Sequence, residues 1–118
     1  MVVLTPVEKK EMCIELAKYL PRIRQILRLS QHEFALRVGT SKERLSAVEN
    51  GRYIMRWNQL CAILFLLSIN RSTKEYFFSN KILSPRFLQY MQQKDETYVP
   101  EVNISVPREV ANDYLAAI

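Results

Sequence analysis

Apolar residues recur at helical spacing along most of the chain, beginning close to the N-terminus. The segment Thr5-Pro6-Val7-Glu8 is typical of a helix start, with a capping hydroxyl, a proline at the first helical position and a glutamate three residues after the cap. The apolar stripe that follows reaches Leu27 but is interrupted by Pro21, because proline removes a backbone donor and clashes with the preceding turn. We therefore expect either a kink or two helices that meet at Leu20.

Between Ser30 and Gly51 the pattern predicts two short helices that cross closely around a tight turn. Ala35 is small enough for the crossing, Gly39 accepts the left-handed backbone that the turn needs, and Ser41 can cap the second helix with its hydroxyl. The positions expected to face inward are Phe34, Val38, Leu45 and Val48. The positions expected to face outward are Gln31, Ser41, Lys42, Glu43, Arg44 and Ala47.

This stretch resembles the phage repressor/Cro family of helix-turn-helix domains, also called the xenobiotic-response-element (XRE) family. The positions that match the family pattern are Arg24, Gln31, Phe34, Ala35, Val38, Gly39, Ser41, Leu45, Ser46, Val48, Glu49 and Gly51. The resemblance covers residues 22–69, less than half of the chain. It implies an all-α fold, namely a five-helix repressor-like domain. This chain would add to that domain an N-terminal helix and a C-terminal helix-strand-helix extension.

The resemblance also implies roles for individual residues. The second helix would lie in the major groove of DNA, where the residues expected to face the base edges are Ser41, Lys42, Glu43 and Ala47. The residues expected to contact phosphates are Gln31, Arg44, Asn50, Arg52 and Arg56. Arg24 and Glu49 would form a partly buried ion pair that ties the first helix of the domain to the end of the second helix of the unit. Two positions depart from the family pattern: Met55 replaces a frequent proline, and Arg56-Trp57 follows where a small polar cap is common.

The segment 57–67 predicts a helix that is apolar nearly all round, so it should be buried on more than one side. Further helices are expected to begin near Ser72 and at Ser84-Pro85. The added N-terminal helix or the C-terminal segment is the expected cover of the apolar helix.

Beyond residue 100 the period changes from helical to alternating. Val102, Ile104 and Val106 alternate with polar residues, which predicts a strand, and Pro107 then begins a final helix. One strand cannot satisfy its own backbone donors and acceptors. It can pair with the same strand of a second copy to give a homodimer, add to the sheet of a different protein, or pack on its own domain as an extended tail.

The net charge of +5 is unevenly distributed. Residues 18–56 contain nine basic and three acidic side chains, whereas residues 94–118 contain two basic and five acidic ones. The positive charge therefore coincides with the predicted helix-turn-helix, which favours contact with DNA phosphates over a merely solvated face.

The sequence contains no motif for metal binding, for a cofactor, for catalysis or for membrane insertion. Cys13 and Cys61 have only His32 as a companion, so we expect two reduced thiols, no metal and no disulfide. We expect no cofactor and no enzymatic activity, because the chain has no glycine-rich phosphate loop and no Ser/His/Asp or Cys/His arrangement. No apolar run reaches membrane-spanning length and the first residues do not form an export signal, so we expect a cytoplasmic protein without membrane contact.

Together these patterns predict three segments. Residues 1–20 would form a helical extension, residues 21–80 the DNA-binding domain, and residues 81–118 a segment for dimerisation or for binding a partner. The leading hypothesis is a transcriptional regulator, most simply a repressor, that binds a palindromic operator in double-stranded DNA as a dimer. A second hypothesis is an antitoxin that holds its toxin through the terminal extension and represses its own operon. A third is an adaptor that binds only protein.

Overall fold

The computed structural model describes residues 2–93, 95, 97 and 99–118, and this part of the chain is all-helical, with eight helices and no strand. The helices are α1 Pro6–Ala17, α2 Leu20–Leu27, α3 Gln31–Val38, α4 Lys42–Glu49, α5 Trp57–Ile69, α6 Arg71–Ser79, α7 Pro85–Met91 and α8 Arg108–Leu115. None of these described helices combines the length and the apolar character needed to cross a lipid bilayer.

The two N-terminal helices follow the local signals of the sequence. At the start of α1, the Thr5 hydroxyl accepts a hydrogen bond from the Glu8 backbone at 3.1 Å, and the Glu8 carboxylate accepts one from the Thr5 backbone at 3.0 Å. Helix α1 ends at Ala17 and α2 begins at Leu20 with Pro21 in its first turn. The proline thus separates two helices, which is one of the two expected outcomes.

Helix α5 lies at the centre of the core, where α1, α3 and α6 pack against it. Leu60, Ile63 and Leu67 of this helix are almost completely buried. Helix α1 is the cover expected for its second side. The prediction that α5 is buried on more than one side is confirmed, and one edge of the helix stays open, because Ala62 is exposed and Phe65 is 68% exposed.

The core extends beyond the central helices at both ends of the chain. Leu16 in α1 is fully buried, and Val2 and Leu4 ahead of it are also buried. On the C-terminal side, Ile82 and Phe87 belong to the same apolar cluster as Leu16. Helices α1 and α7 are therefore part of one packed body with the central helices.

The segment with the alternating pattern forms no strand. Val102, Ile104 and Val106 lie in a stretch over residues 101–107 that has no regular secondary structure, and all three side chains are exposed. A strand is defined by its backbone hydrogen bonds to a neighbour. Within the described residues of one copy, no neighbouring segment pairs with this stretch. The prediction of a strand is therefore wrong for the single chain.

Candidate nucleic-acid interface

Helices α3 and α4, with the turn between them, form the unit from which a candidate site can be built; we call it the α3–α4 unit. Ser30 caps α3 and exchanges hydrogen bonds with Glu33, whose pKa is lowered by the hydrogen bond from the Ser30 backbone N–H and by that from the Ser30 hydroxyl. Gly39 ends α3 with φ +75°, a left-handed conformation that other residues adopt at a cost. The Ser41 hydroxyl then accepts a hydrogen bond from the Arg44 backbone at 3.0 Å and caps α4.

The inner side of this unit is apolar and tightly buried. Phe34 is completely buried, Ala35 is 1% exposed, and Leu45 and Val48 of α4 are also buried. Gln59 of α5 donates a hydrogen bond to the Val38 carbonyl at 2.7 Å, which ties α5 to the last turn of α3. The unit is thus held against the core of the molecule in one orientation.

The outer side of α4 faces solvent. Ser41, Lys42, Glu43 and Arg44 are exposed, and Ala47 is half-buried. All of these positions were expected to face outward. Lys42 and Arg44 can donate hydrogen bonds here, and Glu43 can accept them.

Arg24 and Glu49 form the ion pair implied by the resemblance. Nε and Nη2 of Arg24 donate to the two carboxylate oxygens of Glu49 at 2.8 and 2.9 Å. The Arg24 side chain is 19% exposed and that of Glu49 only 6%, so most of the pair is removed from water. The hydrogen bond to Glu49 raises the pKa of Arg24. This bidentate contact joins α2 to the last residue of α4.

Gln31 belongs to the same cluster. It is the first residue of α3 and half-buried, and its Nε2 donates to Glu49 at 3.0 Å. The sequence predicted that this side chain would face a phosphate. Its amide nitrogen lies instead against the carboxylate that closes α4, so the side chain links the N-terminus of α3 to the C-terminus of α4.

Arg44 has a partner that the sequence did not indicate. Its guanidinium carbon lies 4.1 Å from the ring centroid of Tyr53, which follows α4 in the connecting segment. Tyr53 is fixed in turn by its backbone N–H, which donates to the Ala47 carbonyl at 3.2 Å. A cation over an aromatic face is attracted by the ring quadrupole. The sequence did not predict a role for Tyr53, because this residue is not one of the positions that define the helix-turn-helix pattern.

The residues after α4 that were expected to hold phosphates lie between the end of α4 and the start of α5. Asn50 is the C-cap of α4 with right-handed geometry, and Gly51 adopts φ +78°. Arg52 and Arg56 are exposed. A polar cleft of about 280 Å³ lies beside α4 and the start of α5, and Arg44, Arg56, Asn58 and Gln59 are among its lining residues. The two guanidinium groups and the Asn58 amide can donate hydrogen bonds to an anion in this cleft.

The unusual Arg56-Trp57 pair is explained by packing. Arg56 is the N-cap of α5, and its side chain makes no capping hydrogen bond. Trp57 lies against Phe87 and Tyr90 of α7, with ring centroids 5.8 and 6.5 Å apart. The Lys9 ammonium of α1 lies 5.2 Å from the Trp57 ring and 5.4 Å from the Tyr90 ring. This aromatic cluster fixes the first turn of α5, and with it Arg56, through residues of α1 and α7.

The thiols and the lone imidazole form no further site. Burial raises the pKa of Cys13 to about 11 and also raises that of Cys61. Both cysteines are free thiols, and His32 is exposed on α3. Among the residues that the structure describes, no group of three or more His, Cys, Asp or Glu side chains could hold a metal ion.

Comparison of the chain with protein-family models, with curated proteins and with solved structures found no match.

Proposed function

We propose that the protein is a sequence-specific DNA-binding transcriptional regulator that acts as a dimer on a palindromic operator. The observation that carries the proposal is the exposed outer side of α4, from Ser41 to Arg44, on a helix whose inner side is locked into the core. An α-helix of this kind fits the major groove, where base edges offer a distinguishable pattern of donors and acceptors.

The exposed residues divide into two roles in this proposal. Lys42 and Glu43 lie in the first turn of α4, where they can reach base edges: Lys42 donates to guanine O6 and N7, and Glu43 accepts from cytosine N4. Ala47 offers a methyl contact to thymine. Arg44, Arg52 and Arg56 hold phosphates on the flanking strand, and such contacts fix the register on the duplex without reading sequence.

The cluster of Arg24, Glu49 and Gln31 has a supporting role. It fixes the angle between α3 and α4, because it joins the start of one helix to the end of the other. The backbone N–H and the side-chain oxygen of Gln31 lie at the N-terminus of α3. The positive end of the helix dipole at this place attracts a phosphate, to which the N–H can donate a hydrogen bond. In this proposal Gln31 serves both the cluster and the phosphate.

Selection of bound fragments from a random pool of duplex DNA tests the proposal. We expect an enriched inverted repeat with half-sites about one helical turn, roughly 34 Å, apart. Absence of any enrichment at low salt would contradict DNA recognition and favour an adaptor that binds protein alone.

Variants at two positions separate base contacts from phosphate contacts. Lys42→Ala should relax the preference at one position of each half-site, at about 1–3 kcal/mol. Arg56→Ala should leave the preference unchanged but lower the dependence of log K on log salt by about 0.9. Lys10→Ala is the matched control, since Lys10 is an exposed cation of α1 and is remote in sequence from the unit.

A second candidate function is an antitoxin, and the exposed C-terminal residues favour it. Val102, Ile104 and Val106 form an exposed apolar stretch that can add to the sheet of a different protein. Co-purification of a small protein encoded by a neighbouring gene would support the antitoxin. A dimer that forms without any second protein would support the regulator.

A further inference from the structure

The last eighteen residues, which we call the C-terminal arm (residues 101–118), leave their large apolar side chains exposed to solvent over 40% or more of their surface. Helix α8 contains no buried residue, although Val110 and Tyr114 lie one turn apart on the same side, and Tyr114 is 80% exposed. An isolated helix of this length is marginal in water, so its stability has to come from packing. The arm therefore has to pack on a surface outside itself.

An apolar groove of suitable character lies between α6 and α7. Its volume is about 540 Å³. Its apolar lining comes from Phe77, Phe78, Leu83, Phe87 and Leu88, and one wall is formed by residues 99–102. No residue of α8 lines this groove. Within one copy, α8 and the groove thus lie apart.

The start of the arm is anchored at the edge of this groove. The Gln92 side chain donates to the Glu101 carbonyl at 2.7 Å and accepts from the Glu101 N–H at 3.1 Å, as a neighbouring strand would. Residues 103–105 then line a shallow pocket along α6 with Lys74 and Phe78. Ile104 also lines a smaller cavity with Phe77, Phe78 and Phe87, so this part of the arm runs along α6 beside the groove before α8 begins.

Pairing of the two arms in the proposed dimer would place α8 of one copy beside the α6–α7 groove of the other copy. If residues 102–106 of two copies pair antiparallel around a two-fold axis at Ile104, residue 102 of one copy faces residue 106 of the other. Arg108 of one copy then lies opposite Pro100 of the other, beside the wall of the groove. We propose that α8 of each copy packs into the α6–α7 groove of the other copy. The inference rests on the dimer of the proposed function and defines the surface that forms it.

Charge complementarity supports a second copy as the occupant. The arm has three acidic side chains and one basic one, whereas the rest of the chain has nine acidic and sixteen basic ones. Glu109 and Asp113 accompany the apolar side of α8. Lys81 lines the groove and Lys74 lines the adjoining pockets, so the acidic helix approaches a surface with two ammonium groups. Opposite charges across an interface fix the register and speed association.

Complementation between two defective variants tests the exchange without DNA. The arm variant combines Val110→Asp with Tyr114→Asp, and the groove variant is Phe78→Asp. We expect each variant alone to raise the dimer dissociation constant in sedimentation velocity by roughly 100-fold, since each places a carboxylate in an apolar contact. An equimolar mixture should recover association, because the mixed dimer retains one intact helix in one intact groove.

Two controls make the result interpretable. Asn112→Asp adds a charge to α8 away from Val110 and Tyr114 and should leave dimerisation unchanged. If Phe78→Asp does not fold by circular dichroism, Lys81→Glu replaces it as the groove variant. Asp113→Lys then serves as the arm variant, and the same recovery on mixing is expected.

The outcomes separate this inference from the proposed function. Recovery on mixing supports the exchange. A wild-type dimer that both variants leave intact overturns it, and so does a loss that mixing does not repair, which would place α8 in the groove of its own copy. A wild-type chain that stays monomeric overturns both the exchange and the dimer. A chain that dimerises in this way but selects no DNA sequence contradicts the proposed function alone.

Discussion

Helices α4 and α8 have the same length of eight residues and opposite surroundings. Helix α4 begins at a capping serine, buries Leu45 and Val48, and is held at its end by the ion pair of Glu49. Helix α8 begins after Pro107 without a side-chain cap and buries nothing. The sequence pattern predicts both helices, but only α4 packs its apolar side against other residues of the chain.

The difference shows that apolar residues at helical spacing can either pack inside the chain, as in α4, or remain exposed, as in α8. In the α3–α4 unit, the apolar positions face partners that the chain itself supplies. In the C-terminal arm, equally regular positions face solvent, and a packed partner has to come from elsewhere. If this distinction is correct, substitutions in the unit change the stability of one copy, whereas matched substitutions in the arm do not.

The largest effect is expected at Glu49. Glu49→Ala strands the Arg24 guanidinium, and loss of one partner of such a buried pair typically costs about 3–5 kcal/mol. Urea unfolding followed by circular dichroism measures this loss. The matched substitution Glu101→Ala in the arm, which keeps the backbone contacts of residue 101 with Gln92, should change the free energy of unfolding by less than about 0.5 kcal/mol. A Glu49→Ala protein with unchanged stability but lost DNA binding would assign Glu49 to recognition instead.

The next effect is expected at the turn of the unit. An added Cβ at Gly39 meets no atom within 4 Å, so the cost of Gly39→Ala comes from the left-handed backbone alone, about 1–2 kcal/mol. Thermal unfolding reports the loss. Ala117→Gly, near the end of the arm, is the control and should leave the melting of the body unchanged. An unaltered melting temperature for Gly39→Ala would mean that the turn reorganises.

A smaller effect should show that α1 behaves like the unit and not like the arm. Lys9→Met removes the ammonium from the Trp57 and Tyr90 rings and should cost roughly 0.5–1 kcal/mol. Lys10→Met is the matched control, because Lys10 is exposed. Equal unfolding free energies for the two variants would show that the cation contributes nothing to the docking of α1.

The smallest effect concerns acid. Hydrogen bonds from the backbone N–H groups of Ser30 and Thr5 lower the pKa values of Glu33 and Glu8 below their ordinary 4.5. A carboxylate with a lowered pKa stabilises the fold above its unfolded pKa, and this contribution is lost as the pH falls through the folded value. Unfolding free energies measured from pH 6 to pH 3 should therefore fall less steeply for Glu33→Gln than for the wild type. If the free energy of unfolding fell equally steeply for both proteins, Glu33 would not contribute to the loss of stability in acid.

The parts of the structure that the sequence predicted correctly depend on local rules or on fixed spacing. The cap at Thr5, the break at Pro21 and the left-handed turn at Gly39 each follow from the backbone preferences of one or two residues. The pairing of Arg24 with Glu49 followed from the resemblance, and the bidentate contact is present.

The parts that the sequence did not predict join residues that no spacing relates. Nothing in the pattern links Arg44 to Tyr53, or Lys9 to Trp57, because such contacts depend on how helices pack after they form. The strand was predicted wrongly for a different reason. Its alternation is real, but backbone pairing needs a neighbour, and the described part of one copy offers none.

Trp57 is the only tryptophan of the chain and follows Arg56 directly, and its ring lies against α7 and 5.2 Å from the Lys9 ammonium. Its indole fluorescence therefore reports on the place where α1 and α7 meet the start of α5. Excitation of this one chromophore can follow the release of α1 or α7, and the approach of a ligand to Arg56, without any attached dye.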